Sequence, residues 1–227
     1  MSGASTRVAD LIEVLGGLRL VPVVVLEDSA KAWPLAQALK RGGLPCAEVT
    51  FRTAAAEAAI REMARDPDIV LGAGTVVDLQ QVDRAIDAGA SYIVSPGFSP
   101  RIVHRCQERG VPVFPGVATP SEVQMALEAS LDIVKFFPAE SLGGIATLKA
   151  IAAPYSMMRF IPTGGITPEN LPSYLSHEFV LAVGGSWMVA KDLIASGRFE
   201  EVTRLTAEAV ACARRYQPAP PSTRGRA

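Results

Sequence analysis

Histidine is scarce in this 227-residue chain, with only His104 and His177 present. Both fall in helical or loop segments and read as surface or capping residues. A metal-dependent active site usually gathers histidines and carboxylates, and no such gathering is visible, so neither a metal nor an organic cofactor is expected. Cysteine is hardly commoner: Cys46, Cys106 and Cys212 lie far apart without CxxC spacing. That excludes a disulfide framework and a zinc knuckle, and Cys46 and Cys106 read as small apolar core residues. An excess of one charge is also missing. The 22 basic and 23 acidic residues give a formal charge of −1, so no global field draws the chain to nucleic acid or an anionic membrane. The apolar runs are too short and interrupted to span a bilayer. A charged n-region followed by an apolar h-region is absent, and the chain reads as a soluble cytoplasmic protein. Aromatic residues make up 6%, and Trp33 and Trp187 read as packing residues.

What the chain has is a large apolar fraction, 49%, in a repeating order. Short β-like runs alternate with amphipathic helical segments. The strand candidates span 19–27, 46–52, 68–75, 91–97, 111–118, 132–139, 159–165 and 179–185. Most are continuous apolar runs, as parallel strands covered by helices require. Helix starts are signed by Ser99-Pro100, by the capping box Thr119-Pro120-Ser121-Glu122, and by Thr167-Pro168. Gly89 and Gly110 mark helix ends. A further helix precedes the first strand, and a long one over 199–216 ends the fold. Eight such strands predict a single (β/α)8 TIM barrel with an extra N-terminal helix, over residues 1–216. An open doubly wound sheet is the alternative, weakened because the turn after the first strand reads LEDSAKAW rather than GxGxxG. Residues 217–227 are Pro-rich and basic and read as a disordered tail.

Strand alternation then sorts the polar residues. In the segment CAEVTFR, Val49 and Phe51 take the helix side, and Glu48, Thr50 and Arg52 take the barrel side. In DIVKFFPA, Val134 and Phe136 face the helices, and Ile133, Lys135 and Phe137 face the barrel. Only five lysines are present, and the other four sit in helical segments. A Glu–Arg ion pair serving only packing, and a salt-bridged or snorkelling lysine, both remain open on these strands alone. The chemical reading is more pointed. A free amine has a pKa of about 10.4 and carries no lone pair at neutral pH; desolvation and a neighbouring cation such as Arg52 favour the neutral amine, which can attack a ketone and form a Schiff base.

Other strand ends add Thr75 after the third strand, Thr163, Gly164 and Gly165 after the seventh, and Gly184, Gly185 and Ser186 after the eighth. In a barrel, the loops after strands seven and eight, followed by a short helix, are the common phosphate site.

With these residues in hand, the sequence resembles the bacterial 2-dehydro-3-deoxy-phosphogluconate (KDPG) aldolase / 4-hydroxy-2-oxoglutarate (KHG) aldolase family. The matching segments are EVTFRT, GAGTV, VSPG, PGVAT, KFFPAE, PTGGI and GGSW, in the family's order, over about residues 15 to 215. Where the family often reads VTLRT and PGIST, this chain has VTFRT and PGVAT; neither change touches a residue assigned to chemistry. The resemblance implies a trimeric class I aldolase that cleaves 2-dehydro-3-deoxy-6-phospho-D-gluconate to pyruvate and D-glyceraldehyde 3-phosphate, late in the Entner–Doudoroff pathway. It puts the Schiff-base lysine at Lys135 and the acid/base glutamate at Glu48. It puts the carboxylate-binding pair at Arg52 and Thr75, with Thr163 lining that end. Phosphate-binding groups fall on Gly164, Gly165, Gly185 and Ser186, and Phe137 is expected to shield the imine. Cleavage of the unphosphorylated 4-hydroxy-2-oxoglutarate is a plausible side activity. The alternatives are a 2-dehydro-3-deoxy-6-phosphogalactonate aldolase, a phosphosugar isomerase or epimerase without an imine, and a non-catalytic barrel that binds a phosphorylated metabolite.

Overall fold

The computed structural model describes residues 2–216. The expected tail over 217–227 lies outside the described residues. The chain runs α1 (Ser2–Leu18), β1 (Leu20–Val24), α2 (Ala32–Arg41), β2 (Cys46–Thr50), α3 (Ala56–Met63), β3 (Val70–Gly74), α4 (Leu79–Asp87) and β4 (Tyr92–Ser95). It continues through α5 (Pro100–Glu108), β5 (Val113–Val117), α6 (Pro120–Glu128), β6 (Ile133–Phe136), α7 (Gly144–Ala152), β7 (Arg159–Pro162), α8 (Leu171–Leu175), β8 (Val183–Gly185), α9 (Lys191–Ala195) and α10 (Phe199–Ala213). All eight expected strands are present, trimmed at their ends.

Every strand pair is parallel, and the order β7-β6-β5-β4-β3-β2-β1-β8 is that of a barrel opened between β7 and β8. Two parallel bridges, Phe160–Val180 and Thr163–Gly184, join those last edges. The fold is therefore the (β/α)8 barrel, not the open sheet.

Alternation along the strands produces two apolar layers. Val49, Val134 and Phe136 belong to the layer between strands and helices. Val21, Tyr92, Val94, Phe114, Ile133 and Ile161 pack inside the barrel. The N-terminal helix contributes Leu11 and Leu15 to that inner cluster, so α1 stoppers the end where the strands begin. Arg19 follows it at φ 62°. Its guanidinium donates to the backbone carbonyls of Leu175 (2.7 Å) and Leu181 (3.1 Å), fixing the stopper against the segment before β8.

Capping locates the helices as read, with one correction. Glu122 N–H donates to Thr119 Oγ1 at 3.3 Å and Thr119 N–H to Glu122 Oε2 at 2.9 Å, completing the capping box at α6. Ser99 caps α5 with Pro100 in the first turn. Thr167-Pro168, however, opens a turn, and α8 begins only at Leu171. Asn170 Oδ1 accepts from Thr167 N–H at 2.8 Å, so the local side-chain bond holds a turn where the cap-then-proline pattern suggests a helix.

Candidate active site

Lys135 on β6 and Glu48 on β2 meet inside the barrel, with Nζ 3.1 Å from Oε1. Both side chains are buried, at 7% and 4% exposure. Two charges withdrawn from water are retained where they are paired or have chemistry to do. Space for the carboxylate comes from β3: a Cβ on Gly74 would lie 2.2 Å from Glu48 Oε1. The glycine in GAGT is thus a requirement of close approach. Phe137, just past the end of β6, places its ring centroid 5.4 Å from Nζ.

A cavity of about 550 Å3 opens at the C-terminal ends of the strands; Phe137 lines it, whereas Lys135 and Glu48 do not. Arg52, Phe137, Thr163, Gly164, Gly165, Gly185 and Ser186 all line it, as the sequence suggested. Thr75 does not line it directly; it is tied to it through Arg52, whose Nε donates to Thr75 Oγ1 at 3.3 Å. Thr75 itself has φ 55°, an unfavourable conformation for a β-branched residue. One expectation is corrected. The charged group in contact with Lys135 is Glu48, whereas Arg52 sits exposed at the rim. The amine therefore lies against a carboxylate and not beside the guanidinium.

The far wall of the cavity is a cradle of backbone. Gly164 and Gly165 have φ of 103° and 78°, a conformation open to glycine. Their carbonyls are occupied, Gly164 O accepting from Glu140 N–H (3.0 Å) and Gly165 O from Asn170 Nδ2 (3.3 Å). Among the described residues the N–H groups of Gly164, Gly165 and Ser186 have no protein acceptor. Tyr174, fully buried, donates its hydroxyl to Glu140 and ties the loop after β6 beneath the loop after β7. Burial, then the Glu140 carboxylate, push the Tyr174 phenol above the usual tyrosine range. Free backbone donors converging on a concave surface suit an anion.

Sequence reasoning missed Lys191. It lines the same cavity just after the GGS loop, 3.8 Å from Glu27 and exposed. Its position at the start of the short helix after β8 was the available signal. Trp187 also lines the wall, whereas Trp33 is 39% exposed and lies under the Arg65 guanidinium at 5.4 Å, not in the core as expected of a packing residue. His104 is exposed, and His177 stacks on Phe179 at 5.0 Å; neither lines this cavity. Cys46 and Cys106 are buried, and burial pushes the Cys106 thiol up to about 12 and the Cys46 thiol higher still. Protonated thiols are poor nucleophiles.

A buried amine touching a carboxylate, with an anion cradle in the cavity beyond Phe137, is an arrangement for imine chemistry on a carbonyl compound that carries a distant anionic group. Comparison with known proteins gives the same direction. The family model described as aldolase, KDPG and KHG aldolase, matches residues 11–205. The chain belongs to the KDPG and KHG aldolase family. A 2-dehydro-3-deoxy-phosphogluconate aldolase of Treponema pallidum is 50% identical over 197 residues, covering 86% of this chain and 94% of that one. A solved KDPG aldolase of Legionella pneumophila, with pyruvate captured at low pH as a covalent carbinolamine intermediate, superposes with TM-score 0.84 at 37% identity, covering 88% of this chain and 97% of that one. A native KDPGal structure is similar at TM-score 0.79 but only 27% identity, over 88% and 96% of the two chains. Family members of the KDPG kind are thus nearer in sequence than the KDPGal protein.

Proposed function

We propose that this chain is a class I aldolase that cleaves 2-dehydro-3-deoxy-6-phospho-D-gluconate to pyruvate and D-glyceraldehyde 3-phosphate, with 4-hydroxy-2-oxoglutarate as a second substrate giving pyruvate and glyoxylate. The observation that carries the reading is the buried Lys135–Glu48 contact of 3.1 Å, covered by Phe137, which also lines a cavity ringed by free backbone donors. The cavity volume of about 550 Å3 suits a small phosphorylated sugar acid. The greater identity to a KDPG than to a KDPGal relative supports the gluconate epimer over the galactonate one.

The chemistry proceeds through Lys135. Glu48 takes the proton from the amine, and Nζ attacks the C2 ketone to give a carbinolamine. Glu48 returns that proton to the departing hydroxyl, which leaves as water, and an iminium remains. The Glu48 carboxylate then removes the C4 hydroxyl proton. The C3–C4 bond breaks, its electron pair enters the iminium to form an enamine, and the aldehyde leaves. Glu48 gives its proton to C3, and water hydrolyses the iminium to release pyruvate.

Binding groups hold the two ends of the substrate. Arg52, its Nε held by Thr75, presents its remaining donors to the substrate carboxylate; Thr163 lines that end. Gly164, Gly165, Gly185 and Ser186 receive the phosphate. Phe137 covers the imine and excludes water. Remote anchoring of the phosphate aligns C4 with its base.

An isomerase or epimerase on this scaffold needs no amine in contact with its acid/base group, and a binding-only barrel needs neither. The homotrimer implied by the resemblance, and action in the cytoplasm, belong to the proposal. No helix among the described residues is long and apolar enough to cross a membrane. Pyruvate release from the two phosphorylated C4 epimers and from 4-hydroxy-2-oxoglutarate tests the reading. The gluconate epimer is the expected best substrate, with no release by Lys135→Ala; preference for the galactonate epimer contradicts the assignment.

A further inference from the structure

A second, much smaller space lies against the Lys135–Glu48 pair. It measures about 10 Å3, and its polar lining is Glu48, Lys135 and Tyr92; Leu15, Phe114 and Ile161 are among its apolar walls. Tyr92 is 1% exposed, and its hydroxyl has no hydrogen-bond partner among the described residues. The ring cannot shift to find one. It packs on Phe114 with centroids 5.5 Å apart, and a Cβ on Gly72 would lie 2.2 Å from it.

A buried hydroxyl without a partner destabilises a fold, and a phenylalanine would fill the same space without that penalty. The size of the hollow decides what can satisfy it. A water needs roughly 10–15 Å3 and two to four polar partners. The hollow meets the first requirement at its lower edge and offers three partners. It is too small for any substrate, and α1 closes it from below through Leu15. Burial, then the nearby Glu48 carboxylate, push the Tyr92 phenol well above the usual tyrosine range. The hydroxyl therefore keeps its proton and acts as a donor.

We infer that this hollow is a hydration site for one water, held between Tyr92 Oη, the Glu48 carboxylate and the Lys135 amine, and that Tyr92 is through it a positioning residue for Glu48. The inference rests on the roles proposed for Glu48 and Lys135. Tyr92 donates to the water and the water donates to the carboxylate, holding it against Nζ from the side opposite the substrate.

Tyr92→Phe tests this together with a high-resolution crystal structure of the unmodified protein. The expected results are density for one water within hydrogen-bond distance of Tyr92 Oη and Glu48, and a kcat for cleavage lowered roughly fivefold or more in the variant. KM is unchanged, because the rim residues are untouched, and the fold is retained, because a phenylalanine fills the same space. A hollow without that water, a variant with undiminished kcat, or a loss confined to KM overturns the inference. Should the variant not fold, the density alone decides. Trapping of pyruvate by borohydride in the unmodified protein keeps the two levels apart: trapping with unchanged kcat in Tyr92→Phe defeats only the hydration site, whereas no trapping defeats the roles beneath it.

Discussion

Gly74 on β3 stands two residues beyond Gly72, the register partner of Glu48 on β2, yet so close to the glutamate side chain that a methyl group on it would lie 2.2 Å from Oε1. Gly74→Ala is therefore expected to displace the carboxylate from Lys135 while leaving the barrel folded. A misplacement of about 1 Å costs roughly a hundredfold in rate. Circular dichroism checks the fold, and cleavage of the phosphorylated substrate checks the rate; near-normal turnover would remove the need for this geometry.

Arg52 holds Thr75 with Nε, leaving its terminal nitrogens for an anion. Arg52→Met is expected to raise KM for both substrates by roughly tenfold or more, the worth of a charge-assisted hydrogen bond. Because both substrates carry the same keto-acid end, their ratio should stay constant. A change for one substrate alone would place Arg52 at the other end of the cavity.

Lys191 stands at the cradle end, loosely paired with Glu27 at 3.8 Å and 66% exposed. Lys191→Met should raise KM about two- to fivefold for the phosphorylated substrate, the scale of an exposed ion pair. The unphosphorylated 4-hydroxy-2-oxoglutarate should be unaffected. Equal effects on both would mean that Lys191 does not read the phosphate.

Stability at acid pH follows from the ion-paired carboxylates. Arg105, then Arg109, hold Asp83 below the usual range, and Lys40, then Gln37, do the same for Asp66. A carboxyl whose folded value lies below its unfolded value of about 3.9 stabilises the fold above that pH. That contribution is lost as pH falls through the lower, folded value. Thermal midpoints should therefore be level between about pH 7 and 5 and drop below about pH 4. Asp83→Asn should show a lower midpoint at neutral pH and a shallower acid fall; an unchanged profile would dismiss the network's contribution.

Much of this was legible in the sequence because parallel buried strands leave continuous apolar runs, against which Glu48 and Lys135 stand out. Period-two alternation gave Lys135 and Glu48 the same side, and the paired glycines located the cradle. Other features leave weaker traces. An amphipathic α1 shows that Leu11 and Leu15 bury, not that they stopper a barrel. Thr75 at φ 55° and the room left by Gly74 depend on neighbouring strands, so no local pattern carries them. Arg52 and Lys135 share an inward direction, but direction does not give height along the barrel. That is why Arg52 lies exposed at the cavity rim, whereas Lys135 is buried and does not line that cavity. The turn at Thr167-Pro168 shows a local side-chain bond overriding a cap signal.

The most direct measurement is mass spectrometry of the protein after incubation with pyruvate and borohydride. The account predicts one reduced pyruvate adduct, on the peptide containing Lys135, and none in Lys135→Ala. An adduct on another lysine, or none on a protein that still cleaves its substrate, would contradict it.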